Sequence, residues 1–406
     1  MIETGAEPAV TVVGIGADGW AGLPEPARQL VRAADVLLGS ARQLDLLPEP
    51  AGERVAWPSP LLPALPGLLD EHKGRAVCVL ASGDPLLFGI GTTLIRLLGP
   101  GAVRVVPHAS SISLACARLG WPVDTVEVVS AVGRPVELVH PVVQPGARVL
   151  VLSADGDTPA AVAALLTARG YGASELTVLE QLGGPAGRAV TGTAATWTGV
   201  CDGLNVVAVR CVADPGAALL PTVPGLPDDA FTHDGQLTKR EVRAITLARL
   251  APVPGQLLWD VGAGAGSVAI EWARAHRACR AVAVEQRADR AARITANARA
   301  LGVPGIVVVH GDAPDALVDL PPPSAVFVGG GATVPGVIER CWDALLPGGR
   351  LVVNAVTVES ELVVAGWHGR LGGDLTRIAI NRASPVGGFT GWRAAMPVTQ
   401  WTATKR

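Results

Sequence analysis

The chain has 406 residues, enough for two or three compact domains, and with 49% apolar against 17% charged residues it can bury cores rather than stay disordered. A net charge of -3 without any run of basic residues excludes the electrostatic footprint of a nucleic-acid binder. Only Lys73, Lys239 and Lys405 are lysines among 33 basic residues, and the excess of Arg, Ala, Gly and Pro is what GC-rich coding produces.

From residue 9 to about 212, β-branched runs alternate with amphipathic stretches, the pattern of an α/β fold with buried strands. Strands are predicted at Val10–Val13, Ala76–Leu80, Val103–Val106, Thr125–Val129, Arg148–Leu152, Leu176–Leu179 and Val206–Arg210. Helices are predicted at Pro24–Ala34, Gly89–Leu98, Ser110–Leu119 and Pro159–Arg169. Residues 214–228 turn to Pro, Gly, Ala and Leu without a clear period and read as a linker between domains at 1–213 and 229–406. A second α/β series follows, with a helix over Thr238–Leu250, a strand Leu257–Val261, a helix from Ser267 and a strand Ala281–Glu285. It continues with a helix Asp289–Leu301, strands Ile306–His310 and Ala325–Val328, a helix Val334–Leu346 and a strand Arg350–Ala355, the order of a doubly wound sheet.

Residues 77–95 and 321–338 are apolar enough to suggest membrane spans, but Gly83-Asp84-Pro85 and Gly329-Gly330-Gly331 interrupt them, so no membrane association is expected. The start, Met1-Ile2-Glu3-Thr4, lacks the basic and apolar regions of a leader, and a cytoplasmic location follows. Six cysteines form no C-x-x-C pair and read as reduced core residues, while seven histidines form no ligand-spaced cluster, so no metal site is expected.

Asp260-Val261-Gly262-Ala263-Gly264-Ala265-Gly266-Ser267 sets an acid and three alternating glycines between a strand and a helix, where bare backbone can approach a ligand closely. The next strand ends in Glu285, placed to accept both ribose hydroxyls of a nucleoside, and the third in Gly311-Asp312-Ala313, suited to wrap an adenine. Asp260 and Glu271 would disfavour a pyrophosphate, whereas S-adenosylmethionine (SAM) brings a sulfonium, an ammonium and no phosphate. The fourth strand leads into Gly329-Gly330-Gly331 without the aromatic tip that stacks a flipped base, so a nucleic-acid base is a poor substrate. Near the N-terminus, Gly14-Ile15-Gly16-Ala17-Asp18-Gly19 matches G-x-G-x-x-G, yet prolines at 24 and 26 follow where a dinucleotide fold needs an immediate helix.

Together with Ser82-Gly83-Asp84-Pro85-Leu86-Leu87 and Pro107-His108-Ala109-Ser110-Ser111, that loop resembles the tetrapyrrole methylases of corrin and sirohaem synthesis. The whole chain resembles the two-domain methyltransferases of cobalamin synthesis, through Phe231 to Arg243, the second glycine loop, Gly311 to Leu317 and Val328 to Gly331. The resemblance implies a bilobal first domain with SAM in its cleft and a Rossmann-like second domain. It also implies methylation of a reduced corrin precursor at C5 by the first domain, and at C15, with decarboxylation of the C12 acetate, by the second. It places SAM contacts at Gly16, Ala17, Ser82, Gly83, Asp84, Leu87, Ser110 and Ser111 in the first domain, and at Thr238, Gly262 to Gly266, Glu285 and Ala313 in the second.

A carboxylate-rich substrate calls for arginine forks, for which Arg240, Arg243 and Arg393 are candidates, with His233 a candidate acid–base group. A small-molecule tetrapyrrole is the expected partner, in a homo-oligomer. Alternatives are an NAD(P) oxidoreductase with two nucleotide-binding domains, a methyltransferase of another tetrapyrrole, or a scaffold in which one SAM fold no longer acts.

Overall fold

A computed structural model describes residues 9–48 and 52–406; residues 1–4, read above for a leader, lie outside them. The chain divides into two compact units, residues 1–136 with 145–217, and residues 137–144 with 218–406.

The first unit holds two sheets. β1 (Val10–Ile15), β2 (Val36–Gly39), β3 (Glu53–Ala56), β4 (Val77–Ser82) and β5 (Val103–Val106) form a parallel sheet in the order β3-β2-β4-β1-β5. β6 (Val126–Ser130), β7 (Arg148–Leu152), β8 (Glu175–Glu180), β9 (Arg188–Thr193) and β10 (Asn205–Arg210) form a mixed sheet, β6-β7-β10-β8-β9, parallel only between β6 and β7. Side chains alternate across the first sheet: Val13, Ile15, Cys78 and Leu80 pack on one face, Val12, Val77 and Val79 on the other. Helices cover both faces, which is why the inner strands β2 and β4 are apolar runs, while the edge strands β3 and β5 carry Glu53, Arg54 and Arg104. The sequence pattern does not mark β2, β3, β9 or the helix Leu61–Glu71, whose Pro63 and Pro66 hide its period.

In the second unit, β11 (Leu257–Val261), β12 (Arg280–Glu285), β13 (Val307–His310), β14 (Ala325–Val328), β15 (Arg350–Ala355), β16 (Asp374–Ile378) and β19 (Val398–Thr404) form one sheet. Its order is β13-β12-β11-β14-β15-β19-β16, with β19 antiparallel to both neighbours, while β17 (Asn381–Val386) and β18 (Phe389–Ala394) pair as a separate hairpin. Leu257, Trp259 and Val261 pack under the helices Val337–Ala344 and Val358–Leu371. Leu258 faces the helices Arg240–Leu250, Ser267–Ala275 and Ala288–Ala300 on the opposite side. Trp259 and Trp272 are both fully buried, as core residues.

The segment expected as a linker is not free along its length. Leu226 is buried among Phe231, Ile270, Ala298 and Leu301, and the amides of Gly225 and Leu226 donate to Glu271. Apolar side chains between its prolines dock on the second unit, so from residue 218 the segment belongs to that unit. Among the described residues the six cysteines form no disulfide, and burial pushes the Cys78 and Cys341 thiols up to about 12. The apolar stretch from residue 77 becomes β4, a loop and the helix Ile90–Leu98, and among the described residues no helix is long and apolar enough to cross a membrane.

Candidate functional site

The carboxyl ends of β11, β12 and β14 are in register, Val261 lying opposite both Val284 and Val328. A cavity of about 770 Å³ opens beyond them in the second unit. The loop after β11 turns at once, because Gly262, Gly264 and Gly266 all have positive φ (69°, 61° and 76°). A Cβ on Gly262 would stand 2.9 Å from the Gly330 backbone, and one on Gly264 2.9 Å from Gln236 O, so two of the three glycines are required by close approach at the cavity itself.

Glu285 ends β12 against this loop. Its Oε2 accepts from Gly264 N at 2.8 Å and its Oε1 from Arg287 N at 3.1 Å, which leaves each oxygen further acceptor capacity, and Glu285 lines the cavity. Asp260 is buried behind the loop, where Oδ2 accepts from Ala269 N at 2.9 Å and Oδ1 has no partner. Burial pushes its carboxyl up to about 7, with the charge of Glu285 adding to the rise and the Ala269 amide opposing it. Across the cavity mouth, Asp234 is held well below the usual carboxylate range by the hydrogen bond from Arg290, at 2.8 Å. That bond ties the loop bearing Gln236 to the helix Ala288–Ala300.

Thr238, Gly262, Ala263, Gly264, Glu285, Gly311, Asp312 and Ala313 all line the cavity. Ala265 and Gly266 do not; Ala265 is buried, and a Cβ on Gly266 would meet Ile294 Cγ2 at 2.7 Å, so this glycine serves helix packing. The candidate arginines are not brought there either. Arg243 is fully buried: its Nε donates to Glu271 at 2.6 Å and Nη1 to Asp228 at 3.1 Å, with further bonds to Thr238 O and Leu226 O. Its guanidinium lies 4.8 Å from the Phe231 ring centre. It is therefore a structural ion pair, and Glu271, neutralised by it and turned to Leu226, adds no charge to the cavity. Arg240 is exposed beside Gly225, Arg393 sits on the hairpin strand β18, and His233 accepts from Gly235 N in a turn; none of them lines the cavity.

Sequence reasoning missed Arg382, the residue opposite Arg393 across the hairpin. It lines the cavity and pairs with Glu241. The signal was the Gly387-Gly388 turn between two short extended runs. Arg290, Lys239, Asn354 and an apolar group of Ile378, Ile380, Met396 and Val398 line it as well. Tested against the cavity, SAM fits: glycine backbone for close approach, unpaired carboxylate lone pairs for hydroxyls and cationic groups, and an apolar region beyond.

In the first unit the three motifs meet at the carboxyl edge of adjacent strands β4, β1 and β5. Gly83 N donates to Ile15 O at 3.0 Å, and a Cβ on Gly14 would overlap Gly83 O at 2.0 Å. His108 Nε2 lies 3.6 Å from Asp18 Oδ2, beside Gly16. Ser82 Oγ accepts from Arg42 and Gln43, and Asp84 Oδ1 from Leu86 N. Ser110 Oγ caps the helix Ser111–Leu119 through Ser113 N at 3.1 Å, which accounts for that hydroxyl structurally, and Leu87 packs on the core formed with Ile112. Ala17 stands against Gly184, where an added Cβ would approach it to 2.9 Å.

Comparison with known proteins matches residues 9–197 to the model of the Tetrapyrrole (Corrin/Porphyrin) Methylases and residues 229–405 to that of a Precorrin methyltransferase domain. A Sinorhizobium sp protein named precorrin-6Y C(5,15)-methyltransferase (decarboxylating) is 50% identical over 400 residues, 98% of this chain and 97% of its own. A Pyrobaculum calidifontis protein named "Probable cobalt-precorrin-6B C(15)-methyltransferase (decarboxylating)" is 35% identical over 44% of this chain and 95% of its own. A Salmonella typhimurium cobalt-precorrin-7 C(5)-methyltransferase is 34% identical over 31% of this chain and 62% of its own.

Proposed function

The chain belongs to the family of decarboxylating precorrin-6Y C(5,15)-methyltransferases, and from that premise we propose how it works: it methylates a hydrogenated precorrin-6 at C5 and C15 and removes carbon dioxide from the C12 acetate, giving precorrin-8 in cobalamin synthesis. Residues 229–406 carry C15 methylation and decarboxylation, and residues 1–213 carry C5 methylation, each with its own SAM site. Relatives named for one position alone match less than half of this chain each, which supports the division.

SAM, when bound, supplies a methyl group on a positively charged sulfur. The chain has to align it with an electron-rich ring carbon and exclude water, and alignment can lower such a barrier by roughly 7–11 kcal/mol in favourable cases. Gly262 and Gly264 admit the cofactor to bare backbone, Glu285 accepts from its ribose hydroxyls, and Asp312 and Ala313 border its base. Arg382 holds a substrate carboxylate in place of Glu241, and Ile378, Ile380 and Val398 form the dry floor under the macrocycle. The observation that carries this reading is that one cavity joins the glycine and carboxylate cradle to an apolar floor edged by arginine. Mass spectrometry of the product from hydrogenated precorrin-6 and SAM tests it: two methyl gains and one carbon dioxide loss are expected, and any other balance refutes it.

A cytoplasmic protein that binds neither nucleic acid nor membrane fits a net charge of -3. A homo-oligomer is expected as well, because Phe389 and Trp392 stand 85% and 79% exposed on the hairpin, apolar surface of the kind that self-association covers. Light scattering that finds a monomer would exclude it.

A further inference from the structure

The chemistry proposed for the second unit sets a proton balance. Replacing the hydrogen on C15 with the methyl group of SAM forms one carbon–carbon bond and breaks the sulfur–methyl and C15–H bonds, leaving S-adenosylhomocysteine and releasing one proton. Loss of carbon dioxide from the C12 acetate breaks one carbon–carbon bond and leaves its electron pair with the macrocycle. The exocyclic carbon then takes up one proton and becomes a methyl group. The two proton changes cancel, and no oxidant or reductant enters. What remains to be supplied is a dry wall for the carboxylate and a hydrogen-bond donor at the imine-type ring nitrogen where the pair collects.

We infer that Asn354 is that donor, an inference that rests on assigning decarboxylation to the second unit. Asn354 stands near the end of β15 and lines the cavity together with Val356, Ile378 and Val398. Its Nδ2 donates to Thr246 Oγ1 at 3.1 Å, and its Oδ1 accepts from Gln400 Nε2 at 2.9 Å. Gln400 Nε2 also donates to Thr246 Oγ1, at 3.0 Å, closing a triangle. With Gln400 so placed, the orientation of the Asn354 amide follows: turned over alone, its NH2 would face the NH2 of Gln400. One hydrogen on Nδ2 is thus committed to Thr246, and the other remains for a ligand in the cavity.

The cost of this arrangement argues for a use. Thr246 and Gln400 are 0% and 1% exposed, and Gln400 Oε1 is buried without a partner. Apolar residues would join the helix Arg240–Leu250, β15 and β19 without that penalty. Among the described residues that line the cavity, Asn354 is the amide beside the apolar floor, whereas Gln236 and Gln286 border the glycine loop and the end of β12. Thr246 and Gln400 act through it, as positioning residues.

The full chain with SAM and hydrogenated precorrin-6 tests the inference. In Asn354→Leu, carbon dioxide release should fall about 100-fold, the usual loss on removing one preorganised donor, and at least about tenfold further than methyl gain, so that a methylated product retaining the acetate accumulates. Thr246→Val keeps the amide but frees one restraint, and should slow carbon dioxide release about tenfold in the same selective way. SAM binding by calorimetry reports whether each variant is folded; if Asn354→Leu loses it, Thr246→Val decides by the same criterion. Carbon dioxide release at the normal rate, or a loss equal to that of methylation, overturns the inference alone. Loss of C5 methylation with C15 methylation and carbon dioxide release intact overturns the assignment beneath it as well.

Discussion

Replacing Arg243 by Met separates a structural arginine from a substrate-binding one. The guanidinium is fully buried and spends its donors on Glu271, Asp228, Thr238 O and Leu226 O. Methionine fills much of the volume but leaves Glu271, itself 3% exposed, as a buried carboxylate held only by the amides of Gly225 and Leu226. Breaking a buried pair on one side costs roughly 3–5 kcal/mol, which for a unit of this size is about 6–20 °C in Tm. Scanning calorimetry of the full chain should show that shift in one transition only. Adding Glu271→Gln removes the stranded charge, so the double variant should cost about 2 kcal/mol less than the sum of the single changes. An unmoved transition, with substrate affinity that falls and loses its salt dependence, would refute the ion-pair reading and restore Arg243 to the substrate.

Glu285→Ala should weaken SAM binding to the second unit roughly 10- to 100-fold, the worth of hydrogen bonds to a charged acceptor, and lower the calorimetric stoichiometry of the full chain from two sites to one. Arg382→Ala should raise the substrate KM about tenfold and flatten its salt dependence, whereas Glu241→Ala, which removes the internal competitor, should lower KM; steady-state kinetics at two ionic strengths decides. Asp260→Asn bears on pH. The folded carboxyl is raised from 3.8 to about 7, so its stabilising contribution is complete below the lower value and is lost as pH rises through the upper one, a change of about 4 kcal/mol. Urea melts should therefore show the Asp260→Asn variant gaining on the wild type by that order between about pH 4 and 8, and parallel curves would refute the shift.

In the second unit the central parallel strands were legible because helices bury both of their faces, which leaves runs such as Ala325–Val328, wholly apolar, and Leu257–Val261, apolar but for Asp260, each followed by glycine. Glu285 and Asp312 could be placed for the same reason, since each closes or follows such a run. The floor of the cavity was not legible. Ile378 lies on the edge strand β16, Arg382 on the hairpin and Met396 in the connection before β19, segments whose outer residues face water, so no periodic core pattern marks them, and Val398 only opens β19. Arg243 was misread because a basic residue on an amphipathic helix looks the same in sequence whether it faces water or a buried Glu271 contributed from 28 residues away.

The two glycine loops show how one spelling covers different physics. Gly14-Ile15-Gly16-Ala17-Asp18-Gly19 satisfies the dinucleotide pattern, yet Gly14 and Gly16 do not take positive φ; in this loop only Gly19 does, at 61°. Gly14 is needed because β1, β4 and β5 converge, its missing Cβ making room for Gly83 O and the His108 backbone. Gly16 instead makes room for the Asp18 and His108 side chains, which meet at the strand ends. In the second unit all three glycines are left-handed, and two of them expose backbone to the cavity. Glycine demanded by strand convergence leaves side chains to make the site, whereas glycine demanded by chain reversal offers the backbone itself. The motif match alone could not tell these apart; the prolines at 24 and 26 open the helix Glu25–Arg32, so that only the single turn Gly19–Gly22 follows the loop at once, and they were the physical sign that the first loop is of the convergent kind.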